Sequence, residues 1–181
     1  MSLVNQKSII YIPAVPINAS NFAPFGQLIQ AQPDGTAYGS EDAALVLDQG
    51  IPRFYIMRLK ANGHQFEHIT RHQQCTQCLG ALGGQPWLLA VAAPTQGNVA
   101  LAEIRSFLIN GNCFVKLHRG TWHAGPYFTA PEWMDFYNLE LADTNTNDHH
   151  TINLGTEYGV SCVMQPYHRE NCDLPLDRLL S

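Results

Sequence analysis

The sequence predicts an all-β protein, an antiparallel sandwich or barrel with only a few short helices. Its apolar segments are short and are separated by Gly, Pro and Asn, which is typical of closely spaced strands joined by turns. Helix signals are few. A chain of 181 residues with 45% hydrophobic residues fits one domain with a buried core. We therefore expect a single domain over residues 1–181, with a core at about 20–141 and a C-terminal extension at about 142–181.

Five segments predict strands because they are apolar or alternating and end at turn residues. They are RFYIMRL (53–59), PWLLAVAAP (86–94), NCFVKLH (112–118), MDFYNLEL (134–141) and YGVSCVM (158–164).

Helical turns are expected in two places. INASNFAPFGQLI offers Ser20 or Asn21 as an N-cap before a short turn that ends near Gly26, and VALAEIRSFL offers a second turn. The polar stretch 142–153 is expected to be a loop or a hairpin connection, and the tail ENCDLPLDRLLS a terminal arm.

Charge and hydropathy exclude two classes of partner. A formal charge of −5 with no run of basic residues argues against nucleic acid. The longest apolar stretch, Trp87 to Pro94, is too short to cross a membrane, and the N-terminus lacks the layout of a signal peptide. We expect a cytoplasmic protein. Charged residues make up only 14%, so either Asn, Gln and Thr keep the surface polar or a second subunit covers part of it.

The five cysteines are odd in number and show no framework spacing, which favours free thiols. The isolated CTQC (75–78) lies in a segment that reads as strand, where its thiols would point to opposite faces. We interpret these cysteines as structural thiols, neither a zinc site nor a redox site.

The stretch HRGTWHAGPYF (118–128) carries the strongest chemical signal. Arg119 and Gly120 predict a turn between two strands, so that His118 and His123 need not point apart. The spacing of Gly111, Gly120 and His123 is similar to the second conserved motif of the cupin superfamily, which ends in a metal-binding histidine. His118 stands where that motif usually has Pro.

A first motif of the form H-x-H-x(3–4)-E-x(6)-G is then expected upstream. Six residues separate Gln77 from Gly84, and His72 lies five residues before Gln77. Gln77 replaces the acidic ligand and Thr70 replaces the first histidine. The set His72, Gln77 and His123 predicts two imidazoles and one amide oxygen, which suits Ni, Mn, Fe or Zn with open positions for substrate.

Other histidines leave alternatives open. His68 or Glu67 could complete the ligand set. Alternatively, His64, His68 and His72 could form a solvated stripe on a helix. The adjacent pair His149-His150 is expected at the surface.

Two segments, RHQQCTQCLGALGGQPWLLAVAAP and IRSFLINGNCFVKLHRGTWHAGPYF, resemble the signature regions of the ureidoglycolate lyase family, which are cupins. The resemblance spans roughly residues 20 to 140 and implies a cupin-like double-stranded β-helix. It implies a carbon–nitrogen lyase that eliminates urea from ureidoglycolate to give glyoxylate, activated by a divalent metal such as Ni²⁺, and a homodimer. The matching positions are Arg71, His72, Thr76, Gln77, Gly83, Gly84, Phe107, Asn110, Gly111, His118, Arg119, Gly120, Trp122 and His123.

Departures from the family pattern fall near the expected site. An acidic residue of the family is Thr70 here, and the second His of its WHH is Ala124. The apolar CFVKL replaces a polar segment, and the closing D-R-G-G is missing, although ENCD (170–173) resembles it faintly. These differences affect the substrate more than the fold.

The expected chemistry assigns roles to the remaining polar residues. His118 or His68 would shuttle the proton, because imidazole titrates near neutral pH. Arg58 or Arg119 would bind the substrate carboxylate. Two alternatives are another metal-dependent cupin enzyme, an isomerase or dioxygenase, and a non-catalytic cupin that binds a small carboxylate.

Overall fold

The computed structural model describes residues 7–166, which form two sheets with three short α-helices. The strands are β1 (Ser8–Pro16), β2 (Gly26–Ile29), β3 (Pro52–Lys60), β4 (Gln65–Phe66), β5 (His68–Arg71), β6 (Gln77–Leu82), β7 (Gly84–Ala92), β8 (Arg105–Gly111), β9 (Phe114–Leu117), β10 (Trp122–Tyr127), β11 (Trp133–Leu141), β12 (His150–Asn153) and β13 (Val160–Pro166). The helices are α1 (Ala19–Phe22), α2 (Thr144–Asn147) and α3 (Leu154–Tyr158), and a 3₁₀ turn covers Leu101–Glu103.

The large sheet has the strand order β12-β5-β10-β7-β8-β1-β13-β4, and the small sheet has the order β2-β9-β6-β11-β3. Pairing is antiparallel except at β1, which runs parallel to both β8 and β13. The prediction of an all-β fold with few short helices is confirmed.

Strand β7 shows how the sheets enclose two cores. Trp87, Leu89 and Val91 point into the core between the two sheets. Leu88 and Ala90 point to the opposite side, into a second core that the strands of the large sheet enclose by curling. A strand buried on both faces needs apolar residues at every position, which explains the continuous run WLLAVAA.

The five predicted strands correspond to β3, β7, β9, β11 and β13. The predicted cap of α1 was wrong: Asn18 caps the helix, and its side chain accepts from the Asn21 backbone N–H at 2.9 Å. The stretch 142–153, expected to be a loop, contains α2 and β12.

Strands β1 and β13 flank the predicted core of 20–141 and pair with each other along their length. Met164 and Cys162 of β13 are fully buried in the core of the large sheet. The tail predicted as a terminal arm, with the ENCD segment (170–173), lies outside the described residues.

Within residues 7–166, no helix has the length and apolar character needed to span a bilayer. Cys75, Cys78, Cys113 and Cys162 are all free thiols.

Candidate active site

A cavity of about 240 Å³ opens between the two sheets. Its walls come from β3, β6 and β11 of the small sheet and from β5 and β10 of the large sheet, with the segment that follows β11. The motif residues His72, Gln77 and His123 all line it. The structure therefore brings together the three residues that the sequence predicts as metal ligands.

The two imidazole rings lie next to each other at one end of this cavity. His72 directly follows β5, and His123 lies in β10, where it is the Cα partner of Thr70. Their ring centroids are 5.1 Å apart. The predicted turn joins the two motifs: Gly120 has a φ of +81°, and its N–H donates to the His72 carbonyl oxygen at 2.6 Å.

Backbone carbonyls hold both rings in one tautomer. The Nδ1 of His72 lies 2.6 Å from the Asp148 carbonyl oxygen, and the Nδ1 of His123 lies 3.3 Å from that of Thr121. Since a carbonyl oxygen only accepts, both Nδ1 atoms carry the hydrogen and donate it. Each Nε2 of the neutral rings then has a free lone pair. This is the usual arrangement for metal-binding histidines.

Burial keeps both imidazoles neutral. Burial lowers the pKa of His123 to about 3, with a smaller lowering from the neighbouring His72. The pKa of His72 is also lowered, mainly by burial. At neutral pH both rings are therefore uncharged, the state in which imidazole binds a metal.

Gln77 contributes a buried oxygen without a partner. Its Nε2 donates to Asn138 Oδ1 at 3.1 Å and to Glu140 Oε2 at 2.9 Å, which fixes the amide. Among the described residues, Gln77 Oε1 is buried and accepts no hydrogen bond. An unpaired buried acceptor costs about 1–3 kcal/mol, so this oxygen is suited to accept a hydrogen bond or to bind a metal.

Glu140 is a cavity residue that the sequence analysis missed. It is only 1% exposed, and its Oε1 accepts from the Tyr55 hydroxyl at 3.2 Å and from Asn145 Nδ2 at 3.4 Å. Of the described residues that line the cavity, none is Lys or Arg. One signal could have found it: in MDFYNLEL, Glu140 shares the inward face with Met134 and Phe136.

His68, an expected proton shuttle, also lines the cavity. It is exposed on β5, and Asn153 Nδ2 donates to its Nε2 at 3.1 Å. The family departures Thr70 and Ala124 are wall residues too, and Thr70 Oγ1 lies 2.7 Å from Thr151 Oγ1.

His149 and His150 are both exposed, as expected of surface residues, but they have different neighbours. His149 reaches the cavity, with its ring centroid 5.8 Å from that of His72. His150 packs edge-on against Trp122 at 5.3 Å.

Three residues expected to be catalytic do not line the cavity. His118 lies behind the imidazole pair, with Nδ1 3.1 Å from Lys116 Nζ and Nε2 3.3 Å from the Ala23 carbonyl oxygen. Arg119 lines a separate cavity of about 360 Å³.

Arg58 points away because side chains alternate along β3. Its neighbours Met57 and Leu59 line the cavity, so Arg58 faces outward, where it makes two hydrogen bonds to Asp135 at 2.8 and 2.9 Å. Neither Arg58 nor Arg119, the residues expected to bind the substrate carboxylate, therefore lines this cavity.

The residues present fit a divalent metal with open coordination positions. Within residues 7–166, no group of three or more His, Cys, Asp or Glu side chains is arranged to hold a metal. The available set is instead two imidazole Nε2 atoms and the unpaired Gln77 Oε1. Two nitrogens and one oxygen suit Ni, Zn, Fe or Mn.

The two sheets and the histidine-lined cavity between them define an all-β protein with a polar site enclosed by its sheets. A family model described as ureidoglycolate lyase matches residues 9–160. The chain belongs to the ureidoglycolate lyase family, which confirms the resemblance seen in the two motifs. The expectation of an enzyme of the lyase class is confirmed with it.

Relatives named ureidoglycolate lyase match most of the chain. The Pseudomonas fluorescens protein is 27% identical over 73% of this chain and 85% of its own length. The Pseudomonas syringae protein is 29% identical over 73% and 84%. The Azotobacter vinelandii protein is 30% identical over 60% and 72%. Among solved structures, RmlC from Streptococcus suis, in complex with dTDP-D-xylose, covers 49% of this chain and 43% of its own at 9% identity, with a TM-score of 0.38.

Proposed function

We propose that this protein is a metal-assisted lyase that eliminates urea from ureidoglycolate and releases glyoxylate. The observation that carries the proposal is one cavity that combines two neutral imidazoles, an unpaired amide oxygen and a buried carboxylate. A volume of about 240 Å³ suits a small metabolite, because drug-sized ligands occupy about 300–1,000 Å³.

In the reaction, the substrate hydroxyl loses a proton, its oxygen forms a double bond to carbon, and the carbon–nitrogen bond breaks. Glu140 is the acceptor for the hydroxyl proton, because it is the carboxylate that residues 7–166 place in the cavity wall. The departing urea nitrogen takes up a proton, either from Glu140 or from His68. The reaction therefore needs no outside oxidant or reductant.

His72, Gln77 and His123 would hold the metal. A bound divalent ion, Ni²⁺ in our proposal, supplies Lewis acidity that lowers the pKa of the substrate hydroxyl. Asp148 and Thr121 keep the two rings in the required tautomer through their carbonyl oxygens.

The test is urea release from ureidoglycolate by the purified protein, before and after chelation and after Ni²⁺ is restored. We expect release that chelation removes and Ni²⁺ restores. Glyoxylate binding without urea release would instead favour a non-catalytic carboxylate-binding cupin. Bound iron with oxygen uptake would favour a dioxygenase.

We also propose that two copies pair through the outer face of the small sheet, defined here as Phe54, Ile56, Leu82, Phe114 and Tyr137. Phe54 is 64% and Ile56 54% exposed. The Tyr137 ring stacks between Phe54 and Phe114, with centroids 5.7 Å apart on each side. Exposed apolar patches of this kind mark interaction sites.

The charge on this face favours a second copy as the partner. Arg58 and Asp135, which lie on the same side of the sheet, neutralise each other. An identical copy can therefore approach without like-charge repulsion.

We propose a cytoplasmic location as well. All four cysteines of the described part are free thiols, as is usual in a reducing compartment.

A further inference from the structure

The proposed substrate carries a carboxylate, yet the cavity wall built by residues 7–166 contains Glu140 and neither Lys nor Arg. An anion that enters a site next to a buried carboxylate needs a cation close by. The proposed metal would supply one positive centre. A second positive group would have to come from a side chain at the mouth of the cavity.

Arg53 has the right position on β3. Side chains alternate along a strand, so Arg53 projects to the same side as Tyr55, Met57 and Leu59, and all three of these line the cavity. It stands two residues beyond Tyr55, about 7 Å along the strand. Its register partner on β11 is Glu140 itself.

The guanidinium of Arg53 is held near the cavity and keeps its donors free. Its central carbon lies 3.7 Å from the centroid of the Tyr55 ring. Stacking on a ring occupies the face of a guanidinium and leaves the N–H groups at its edge available. Within residues 7–166, Arg53 makes no side-chain hydrogen bond or ion pair, and it is exposed.

Arg58 has neither the position on the cavity side of β3 nor free N–H donors, because it faces the other side of the sheet and is bound to Asp135. We infer that Arg53 binds the substrate carboxylate at the Tyr55 end of the cavity and so selects small anionic substrates. The two N–H groups at the edge of a guanidinium match the two oxygens of a carboxylate. This inference rests on the proposed function for the identity of the substrate.

The experiment compares Arg53→Ala, Arg53→Lys and the matched control Arg105→Ala. Arg105 is exposed on β8, away from the cavity and from the outer face of the small sheet, and among the described residues its side chain bonds only the Ala102 and Ile104 carbonyl oxygens. In urea release from ureidoglycolate, Arg53→Ala should raise KM by about 10- to 100-fold, the loss expected for hydrogen bonds to a charged group. Its kcat should change much less, because the contact holds a part of the substrate that does not react. Arg53→Lys should recover part of the loss, and Arg105→Ala should behave as wild type.

A second measurement keeps the inference separate from the reaction. Glyoxylate binding, followed by calorimetry, should weaken by a similar factor in Arg53→Ala and stay unchanged in Arg105→Ala. If wild type releases no urea, the proposed function fails, and glyoxylate binding still decides the role of Arg53. Unchanged KM and unchanged glyoxylate affinity in a folded Arg53→Ala protein would overturn the inference.

Discussion

The rings of His72 and His123 are 5.1 Å apart, and each donates its Nδ1–H to a backbone carbonyl oxygen. The two histidines come from different parts of the large sheet: His72 directly follows β5, and His123 lies in β10. The hydrogen bond from Gly120 N–H to the His72 carbonyl oxygen joins the two segments. The pair is therefore oriented by backbone geometry before any ligand arrives.

We expect His123→Ala to abolish divalent metal binding and urea release while the protein stays folded. Removing the hydrogen-bond partner of a metal-binding histidine lowers metal affinity or activity by roughly 10- to 100-fold. Removing the histidine itself should lower both by more. The measurements are metal content after dialysis against Ni²⁺ and the rate of urea release. His150→Ala is the control, because His150 packs on Trp122 outside the cavity. Full activity in His123→Ala would exclude this assignment.

Gln77→Glu should bind Ni²⁺ more tightly than wild type, because it restores a carboxylate ligand. Without metal it should be less stable, since its carboxylate would replace an amide nitrogen 2.9 Å from Glu140 Oε2, and two anions repel at that distance. Thermal unfolding with and without Ni²⁺ measures both effects. The rise in Tm on adding metal should be larger than in wild type, and an equal rise would contradict a ligand role for Gln77.

The fold could be predicted because its signals are local. Strand β7 is apolar and buried at every position from Trp87 to Ala92, and β11 alternates, so each shows its burial in the sequence alone. Strand β12 was missed because HTIN lies inside a polar stretch and is a strand only through pairing with β5.

The site was predicted in part for the same reason. His72 and His123 follow from motif spacing, but the face on which an arginine lies depends on the exact alternation in its strand. Odd-numbered residues of β3, such as Arg53 and Tyr55, point inward, and even-numbered residues, such as Arg58, point outward. An error of one residue in the predicted alternation would exchange the two faces. The role of Glu140 also needed the fold, because its partners Tyr55 and Gln77 come from two other strands.

Glu140→Gln should lower kcat for urea release by roughly 10²–10⁴-fold, the usual contribution of a general acid or base. A glutamine has the same shape, so the protein should fold normally. The control is Glu132→Gln, which removes an exposed carboxylate near Lys60. A kcat within a factor of about 3 of wild type would remove Glu140 from the mechanism.

Acid should destabilise the protein through His123. Its pKa is about 3 in the folded state and near 6.5 in the unfolded chain, so between these values the unfolded state binds the extra proton. The stabilisation is therefore complete above about pH 6.5 and is lost as the pH falls toward 3, by up to about 1.4 kcal/mol per unit. His72, whose pKa is also lowered, acts in the same direction.

Urea denaturation between pH 4 and pH 8 measures this dependence. His123→Phe should flatten the acid side of the curve, because phenylalanine binds no proton in either state. A slope equal to that of wild type would show that other groups control acid unfolding.

The outer face of the small sheet makes a prediction about assembly. Phe54→Glu or Ile56→Glu places a charge on each copy of the proposed interface, so that two like charges meet at or near the symmetry axis. We expect the mass in light scattering to fall from twice 20.1 kDa to 20.1 kDa, with urea release per chain as a second readout. Tyr38→Glu is the control, since Tyr38 is 83% exposed and lies outside both sheets. A wild-type protein that is already monomeric, or variants that remain dimers, would show that this face is not the interface.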